Sequence, residues 1–320
     1  MLRIALVLSV AALALPLRGQ SLRLVDAVGS PIPYVNAYAP AISAGTVSGP
    51  DGILELTPKM AAADASVPVR MSCVGYRDTL VSIGELRAPV HAELVLAAAD
   101  YTLAEAEVSG EAIDLGKARR LGLHKPESDI HASFTADMFS TAFVSEGERL
   151  VAEVEPDSSA FPSIEASGDE DVGDAGATPV AGTEFGNVMR IKGRWRLDRV
   201  GANFSASETA CTYELNVYAY DDGEPGRHLH AERYFLELEP SAEPTELTVD
   251  LADEPIYGTG DFLVVLEAVT PGLTAAPTLH ARLALRRRKR ITRFRQSDGT
   301  WRRAPIGVVV AVYADIRELR

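Results

Sequence analysis

The sequence has little cysteine and few aromatic residues: two cysteines occur in 320 residues, and Phe, Trp and Tyr together make up 7%. A dense disulfide framework is therefore excluded as the source of stability. Cys73 and Cys211 lie far apart in the chain. A single disulfide between them is one alternative, because export would permit it. We favour a buried free thiol at each position, since free cysteine is among the most buried residue types.

The sequence also lacks the motifs that carry common enzyme chemistry. It contains no HExxH zinc motif, no nucleophile elbow and no phosphate-binding loop. His124 and Glu127 have a spacing that can supply two zinc ligands, but a proline lies between them in a polar, loop-like stretch. His228 and His230 would face one side of a predicted strand, with no third and fourth ligands evident. We therefore predict no catalytic residue, no metal site and no cofactor.

Positive charge is the minority sign: 31 Lys and Arg stand against 45 Asp and Glu, for a net charge of −14. Such a balance repels phosphate backbones and argues against a dedicated nucleic-acid binder. The late part of the chain is an exception, with Arg286, Arg287, Arg288, Lys289, Arg290, Arg293, Arg295, Arg302 and Arg303 around Phe294 and Trp301. This basic stretch could bind an anionic polysaccharide, lipopolysaccharide phosphate or nucleic acid, or it is a solvated hairpin that pairs with the acidic insertion or the acidic remainder of the fold. We favour the hairpin or an anionic-glycan contact, and nucleic acid is the least favoured partner.

Long apolar runs are missing apart from one at the start. Ile4 to Leu17 is almost wholly apolar, follows Arg3 and precedes small and polar residues. The run is shorter than the roughly 18–20 residues that a membrane-spanning helix needs, and its flanks are typical of a secretory signal peptide. We predict a signal peptide over residues 1–20, no transmembrane segment, and an exported protein in the periplasm, on the outer-membrane surface or outside the cell.

Segments with helical periodicity are scarce, and short strands take their place. From 21 to 108, alternating apolar and polar residues are separated by turn residues such as Gly49-Pro50-Asp51-Gly52. Six or seven strands at this spacing predict a β-sandwich. From 182 to 320, about eight further strands predict a second antiparallel sandwich, a jelly roll. The fold class is therefore all-β, with two domains.

Two segments connect these predicted sandwiches. Residues 109–155 have a mixed composition that favours a connecting segment. Residues 156–181 are rich in Gly, Ala, Ser, Pro, Asp and Glu and nearly devoid of large apolar side chains. They predict a disordered acidic insertion, because such a stretch cannot bury enough surface to offset its ordering entropy. The spacing of an EF-type loop is absent, so a solvated charge run is favoured over a calcium site.

Three stretches near the start form a recognisable set: Val25–Ala37 with Pro31-Ile32-Pro33, Gly45–Leu56 with Asp51-Gly52, and Ser72–Tyr76. In this order and spacing they resemble the carboxypeptidase-regulatory-like domain of exported Bacteroidota proteins. The resemblance implies a seven-stranded, transthyretin-like sandwich that carries no catalytic residues, and hence no peptidase activity. Gly49 stands where the family pattern commonly has Asp, which weakens any calcium site at that turn.

A second set lies in the later half: Leu215–Tyr218, Asp222–Gly226, Val249–Leu251 and Gly260–Glu267, preceded by Gly182–Gly186. Together they resemble a mostly uncharacterised jelly-roll domain that follows the regulatory-like module in such proteins. The resemblance implies an architecture rather than an activity. It also implies that the basic LGKARRLGLHK stretch within 109–155 is the first strand of the second domain.

The candidate ligand contacts are aromatic residues of the predicted jelly roll and the start of the basic run: Trp195, Tyr218, Tyr220, Tyr257, Trp301, Arg286, Arg287 and Arg288. Such aromatic rings can stack on sugars, and the alternative is packing in the core or at its rim. Glu267, at the end of an apolar run, is either an inward polar group or a ligand contact.

These observations predict an exported, non-catalytic binding or scaffolding protein of the cell envelope. One alternative is a carbohydrate-binding or carbohydrate-active jelly-roll protein, and another is an accessory of an outer-membrane receptor system. A cleft with two convergent carboxylates would favour an enzyme, whereas an aromatic strip without them would favour glycan binding. The partner stays open between a glycan and another envelope protein.

Overall fold

The computed structural model describes residues 21–87, 93–99, 115–124, 130–134, 139–145, 148–154, 165–166, 183–273, 277, 279–283, 292–295, 299–304 and 308–319. The fold is mostly β, with 58% strand and 6% helix, and has several antiparallel sheets, one of them strongly curled into a half-barrel. The all-β prediction is thereby confirmed. Within the described ranges, none of the helices has the length and hydropathy of a membrane span. The predicted signal peptide and Arg286, Arg287 and Arg288 lie outside these ranges.

Two large clusters of buried apolar side chains divide the described residues. One belongs to residues 21–99, which we call the N-terminal lobe, and the other to residues between 115 and 319, which we call the C-terminal lobe. The strands of the N-terminal lobe are β1 (Ser21–Val25), β2 (Asn36–Ala39), β3 (Ala44–Val47), β4 (Ile53–Glu55), β5 (Pro68–Ser72), β6 (Thr79–Ser82) and β7 (Glu93–Val95).

The N-terminal strands form two sheets, in the orders β4-β1-β7 and β3-β2-β5-β6. All pairings are antiparallel except that of β1 with β7, which is parallel. A 3-10 turn (Pro40–Ile42) and two short helices, α1 (Pro58–Ala62) and α2 (Ile83–Leu86), connect the strands. Thr57 and Ser82 accept backbone hydrogen bonds from the first turns of α1 and α2, which satisfies donors that a helix start leaves unpaired.

The predicted turn before β4 is present. The backbone N–H of Gly52 donates to the carbonyl of Gly49 at 3.0 Å, and the N–H of Gly49 donates to the carbonyl of Ile53 at 2.8 Å. Gly52 has φ +74, and a Cβ there would lie 2.7 Å from the carbonyl oxygen of Leu24. Glycine is therefore required at this position both by the backbone conformation and by the approach of β1.

The C-terminal lobe contains β8 (Leu115–Gly122), β9 (Ile130–Phe134), β10 (Phe139–Ser145), β11 (Glu148–Val154), β12 (Glu165–Ala166), β13 (Glu184–Met189), β14 (Arg194–Phe204), β15 (Cys211–Asp221), β16 (Glu224–His228), β17 (Tyr234–Leu238), β18 (Thr245–Asp250), β19 (Ile256–Thr259), β20 (Phe262–Ala268), β21 (Leu279–Leu283), β22 (Thr292–Arg295), β23 (Trp301–Arg303), β24 (Val308–Val310) and β25 (Val312–Leu319). They form two large sheets.

One sheet of the C-terminal lobe follows the path β12-β11-β10-β9-β21-β14-β25-β8, with β18 and β19 also pairing β14 and β24 pairing β21. The other, which we call the seven-stranded sheet, follows β16-β15-β20-β13-β22-β23, with β17 pairing β15. Strands β9 to β11 fall within the predicted connecting segment 109–155. In the segment predicted to be disordered, Glu165 and Ala166 pair with β11, and the rest of 156–181 lies outside the described residues.

The core of the C-terminal lobe takes one face of the seven-stranded sheet. Along β15, Tyr213, Leu215 and Val217 belong to this core, as expected for the period-two alternation of a strand. The alternate residues, Glu214 and Asn216 among them, face the other way and yet are also buried. The seven-stranded sheet is therefore covered at its polar face as well.

The N-terminal lobe contributes to that cover. Tyr34 packs against Phe235, with ring centroids 5.2 Å apart, and Val47 shares a small buried cluster with Val269. Arg233 donates hydrogen bonds to the backbone carbonyls of Pro33 and Tyr34. Apolar contact and backbone hydrogen bonds thus join the two lobes.

Candidate functional site

Strand register brings five functional side chains into one row on the polar face of the seven-stranded sheet. Glu214 of β15 lies opposite Glu267 of β20, which lies opposite Glu184 of β13. Glu184 in turn lies opposite Arg295 of β22, and Arg295 opposite Trp301 of β23. Residues paired in this way project from the same face and sit within contact distance. Three carboxyl groups, a guanidinium and an indole are thereby aligned.

Glu184 is ionically paired within this row. An oxygen of its carboxylate accepts from Nη1 of Arg295 at 2.7 Å, and both oxygens accept from the hydroxyl of Tyr218, at 3.0 and 2.8 Å. Burial raises the pKa of Tyr218 well above its ordinary value, so the hydroxyl keeps the proton that it donates. With 1% of Glu184 exposed, these partners replace the water that the carboxylate has lost.

Glu214 has its own cation, which comes from outside the row. Nε and Nη2 of Arg233 donate to its two oxygens, each at 2.6 Å, the bidentate geometry in which guanidinium and carboxylate bind most strongly. Burial raises the pKa of Glu214, and the hydrogen bonds and charge of Arg233 oppose that shift. Because Arg233 also binds two carbonyls of the N-terminal lobe, this ion pair belongs to the lobe interface.

Glu267 is the carboxyl group without a cation of its own. Among the described residues it forms no ion pair, and Nδ2 of Asn216 donates to its Oε2 at 3.3 Å. Burial, and then the nearby charges of Glu184 and Glu214, raise the pKa of Glu267 to about 8, against the opposing charges of Arg295 and Arg233. At neutral pH the group is therefore mostly protonated. Two carboxylates and two guanidiniums then balance, with a neutral acid between them.

A cavity of about 230 Å³ opens at this row, between the lobes. The N-terminal lobe contributes Ser72, Cys73, Val74, Tyr76 and Asp78, and the C-terminal lobe contributes Glu184, Asn216, Tyr218, Gly226, His228, Glu267, Arg295 and Trp301. Asn216 is 1% exposed, and its Oδ1 has no hydrogen-bond partner among the described residues. A buried acceptor without a donor is uncommon in native proteins and requires an explanation.

Two further titratable groups at the cavity are held neutral. Burial, assisted by the charges of His230 and Arg295, lowers the pKa of His228 to about 3, so its imidazole carries no charge at neutral pH. Burial raises the pKa of the Cys73 thiol, which makes it a weak nucleophile. Cys73 and Cys211 are both free thiols, Cys211 buried and Cys73 half-buried, so the buried free thiol favoured from the sequence is found at Cys211, and a free but only half-buried one at Cys73.

No protein-family model matches this sequence, and a search of curated proteins finds no match either. The two family resemblances therefore stay expectations, and the chemistry of the site must be argued from its residues.

Two of the predicted ligand contacts meet at the cavity. The rings of Tyr218 and Trp301 are arranged edge to face, with centroids 5.4 Å apart. Tyr220 lies on the same face further along β15, where its hydroxyl donates to the carbonyl of Gly223 at 2.7 Å and accepts from Arg293. It packs in a small buried cluster with Tyr218, so its hydroxyl is engaged within the protein.

The other predicted aromatic contacts lie elsewhere, and for Trp195 the expectation needs correction. Trp195 is 0% exposed, packs on Phe262 with ring centroids 4.1 Å apart, and donates its Nε1 hydrogen to the carbonyl of Gly260 at 2.8 Å. Its ring is enclosed by the core and has no face left for a ligand. Tyr257 is exposed on β19, in the other large sheet. The predicted aromatics therefore do not form one strip.

The histidines considered as metal ligands make other contacts in the structure. His230 accepts from the N–H of Val217 at 3.1 Å through Nε2, and its ring lies 6.1 Å from that of His228. His124 contacts Glu246 at 3.3 Å, and Glu127 lies outside the described residues. Across the part of the chain that the structure describes, no group of three or more His, Cys, Asp or Glu side chains is placed to hold a metal ion.

Sequence reasoning missed most of the row. Glu184, Glu214 and Asn216 lie in predicted strands as ordinary polar residues, and Arg295 counted only as part of the basic stretch. A signal was present at Glu267, which directly follows the apolar run Phe262–Leu266 of a central strand, where an unpaired charge is costly. Only the strand register reveals that these positions meet.

Proposed function

We propose that the chain is an exported, non-catalytic binding protein of the cell envelope, with its ligand site in the cavity of about 230 Å³ at Glu184 and Glu267. The observation that carries the proposal is the unpartnered Oδ1 of Asn216, buried in the wall of that cavity. A buried polar group without a partner requires an explanation, and in the wall of a cavity a bound polar ligand would supply one.

The geometry favours binding over catalysis. Glu184 is engaged by Arg295 and Tyr218, so one of the two carboxyl groups needed for an acid–base pair is already occupied. The thiol of Cys73 is protonated at neutral pH because burial raises its pKa. The volume of about 230 Å³ lies just below the roughly 300–1,000 Å³ of drug-sized ligand sites, which suits a small polar group.

A direct test uses the fluorescence of Trp301, the one tryptophan of the chain that lines the cavity; Trp195 lies in the core. The purified full chain is screened against sugars, amines and carboxylic acids, with melting temperature as a second readout. A ligand of the cavity should change Trp301 emission and raise the melting temperature. The Trp301→Phe variant should lose the emission change. If no compound class alters either readout, the cavity is not a ligand site.

A carbohydrate-binding or carbohydrate-active protein is the second candidate. The edge-to-face pair of Tyr218 and Trp301 beside Glu184 and Glu267 favours it, because aromatic faces next to carboxyl groups suit sugar rings with their apolar faces and hydroxyl rims. A glycan array probed with the full chain tests it. Binding that disappears in Trp301→Ala supports this candidate, and silence across the array favours a non-glycan ligand or a protein partner.

The finer architecture is also a proposal. We infer a transthyretin-like sandwich of carboxypeptidase-regulatory-like type for the N-terminal lobe, supported by its three- and four-stranded sheets around one core. We infer a jelly roll for the C-terminal lobe, supported by its two large antiparallel sheets around another core. Export rests on the predicted signal peptide. A role as accessory of an outer-membrane receptor system stays a prediction that no observed contact favours over the others.

A further inference from the structure

We infer that the ligand of the cavity is a primary ammonium group, and that binding it releases the proton of Glu267. This inference rests on the proposed function, because it names the chemical class of the ligand at the same site.

Two hydrogen-bond acceptors of the cavity lining, on Asn216 and Glu267, have few donors. Oδ1 of Asn216 has no donor among the described residues, and the carboxyl of Glu267 receives one hydrogen bond, from Nδ2 of the same Asn216. At neutral pH the single proton on Glu267 is the donor available to this pair. An ammonium group supplies three N–H donors from one atom, which is what a site with adjacent unsatisfied acceptors can use.

The charges of the row also favour an ammonium ligand. Of the three carboxyl groups in the row, Glu184 pairs with Arg295 and Glu214 pairs with Arg233. The third, Glu267, has no cation among the described residues and stays neutral by holding a proton. Because its pKa is about 8, removing the proton near pH 7 is inexpensive once a cation is present to replace it. A bound ammonium would complete a set of three ion pairs.

The remaining groups around Glu267 are compatible with a cation. Asp78, across the cavity in the N-terminal lobe, is already paired with Arg70 at 2.8 Å. The neutral titratable groups that face the cavity are Cys73, Tyr76, Tyr218 and His228. The two guanidiniums nearest the site are each neutralised by a carboxylate. No uncompensated positive charge of the described residues therefore opposes a cation there.

The rings of Tyr218 and Trp301 form part of the aromatic wall, to which Tyr76 also contributes, and the guanidinium of Arg295 lies 6.0 Å from the Trp301 ring centroid. A cation near an aromatic face gains electrostatic attraction from the ring quadrupole, and the attraction grows when both are desolvated. A short alkyl chain attached to the ammonium would lie against these rings. A free alkylamine and the side chain of a lysine share this chemistry, so the experiment includes both.

Titration calorimetry of the full chain tests the inference, with n-butylamine as the probe, N-acetyl-lysine amide as the polypeptide-like probe, and tetramethylammonium, 1-butanol and glucose as controls. Tetramethylammonium keeps the charge but has no N–H donor, and 1-butanol keeps the chain without the charge. We expect the two amines alone to bind. Titrations in buffers of different ionisation enthalpy should report release of about one proton at pH 7, and affinity should rise about tenfold from pH 6 to pH 7.

The variant Glu267→Gln retains the shape of the protonated acid and loses the ability to ionise, so it should fold. We expect it to bind n-butylamine at least about tenfold more weakly at pH 8 and to release no proton, since a charge-assisted hydrogen bond is replaced by a neutral one. The matched control Glu237→Gln, at an exposed position of β17, should bind like the parent chain.

The possible outcomes separate this inference from the proposed function. Equal binding by tetramethylammonium, unchanged affinity in Glu267→Gln, or binding without proton release would overturn the ammonium inference. Binding of glucose without either amine would overturn it too, while the cavity stays a ligand site. If none of the probes binds at any pH from 6 to 9, the inference fails and the screen described above decides the fate of the proposed function.

Discussion

Replacing Arg233 by methionine should destabilise the protein strongly, because this residue neutralises a buried carboxylate and joins the lobes. Glu214 is 1% exposed, and Arg233 reaches both of its oxygens at 2.6 Å. Removing one partner of a buried ion pair leaves an uncompensated charge, at a cost of about 3–5 kcal/mol. The lost hydrogen bonds to the carbonyls of Pro33 and Tyr34 add about 1 kcal/mol each.

Protonation of Glu214 would limit this loss and gives the prediction its pH dependence. Without Arg233, burial and then the charge of Glu184 both act on Glu214 and hold its pKa in the folded state above that in the unfolded state. Such a group contributes stability at pH values below its unfolded pKa, and this contribution is lost as the pH rises through the folded pKa. Arg233→Met should therefore cost less at pH 5 than at pH 8.

Urea unfolding followed by the fluorescence of Trp195, which lies in the core of the C-terminal lobe, measures the effect. The double variant Arg233→Met, Glu214→Gln should recover part of the stability, because it removes the orphaned charge. Arg199→Met, at an exposed pair with Asp250, is the matched control and should change little. The reasoning is refuted if Arg233→Met matches this control, or if the double variant is no more stable than the single one.

Three further predictions concern the ionisation of Glu267, the packing at Gly186 and the state of the two cysteines. The pKa of Glu267 in the folded state is raised to about 8, so the parent chain should lose stability relative to Glu267→Gln between about pH 5 and pH 8. The expected loss is up to about 1.4 kcal/mol per pH unit, measured by urea unfolding at a series of fixed pH values. If the two free energies of unfolding change in parallel with pH, this prediction is contradicted. Gly186→Ala should lower the melting temperature sharply, because a Cβ there would lie 1.9 Å from a carbonyl oxygen of β20, an overpacking of about 1–3 kcal/mol or more. Gly226→Ala, with its nearest atom at 3.5 Å, should be tolerated, and equal shifts for the two would count against the packing. Mass spectrometry after alkylation without reductant should find both Cys73 and Cys211 labelled in denaturant and protected in the folded protein at pH 8, since burial raises both thiol pKa values; an unlabelled denatured chain would indicate a disulfide.

Local patterns in the sequence were enough to predict the all-β fold class. The Asp51-Gly52 turn forms because glycine readily adopts the φ of +74 and has no Cβ to oppose the close approach of β1. The alternation of β15 likewise places Tyr213 and Leu215 in the core, as period-two patterning predicts. The segment 109–155 was harder to interpret, because its mixed composition shows no clear period, and β9 to β11 are recognised only by their pairing with one another and with β21.

The candidate site was only partly readable. The sequence suggests Tyr218 and Trp301 as possible ligand contacts, and the two side chains line one cavity. Trp195 was grouped with them because an aromatic residue on a predicted strand shows its type but not which face it occupies. Its alternation with Leu197, which is also buried, was the signal for the core face.

The sequence alone determined the alternating strands, the turns between them and the apolar faces that form the two cores, since these depend on neighbours a few residues apart. The tertiary structure alone decided that Glu184, Glu214 and Glu267 form one row and that a second lobe buries it. Register brings together residues distant in the chain, and burial depends on what covers a face from outside its own sheet. The charge state of Glu267 follows from both, because desolvation and neighbouring charges act through space and no local pattern encodes them.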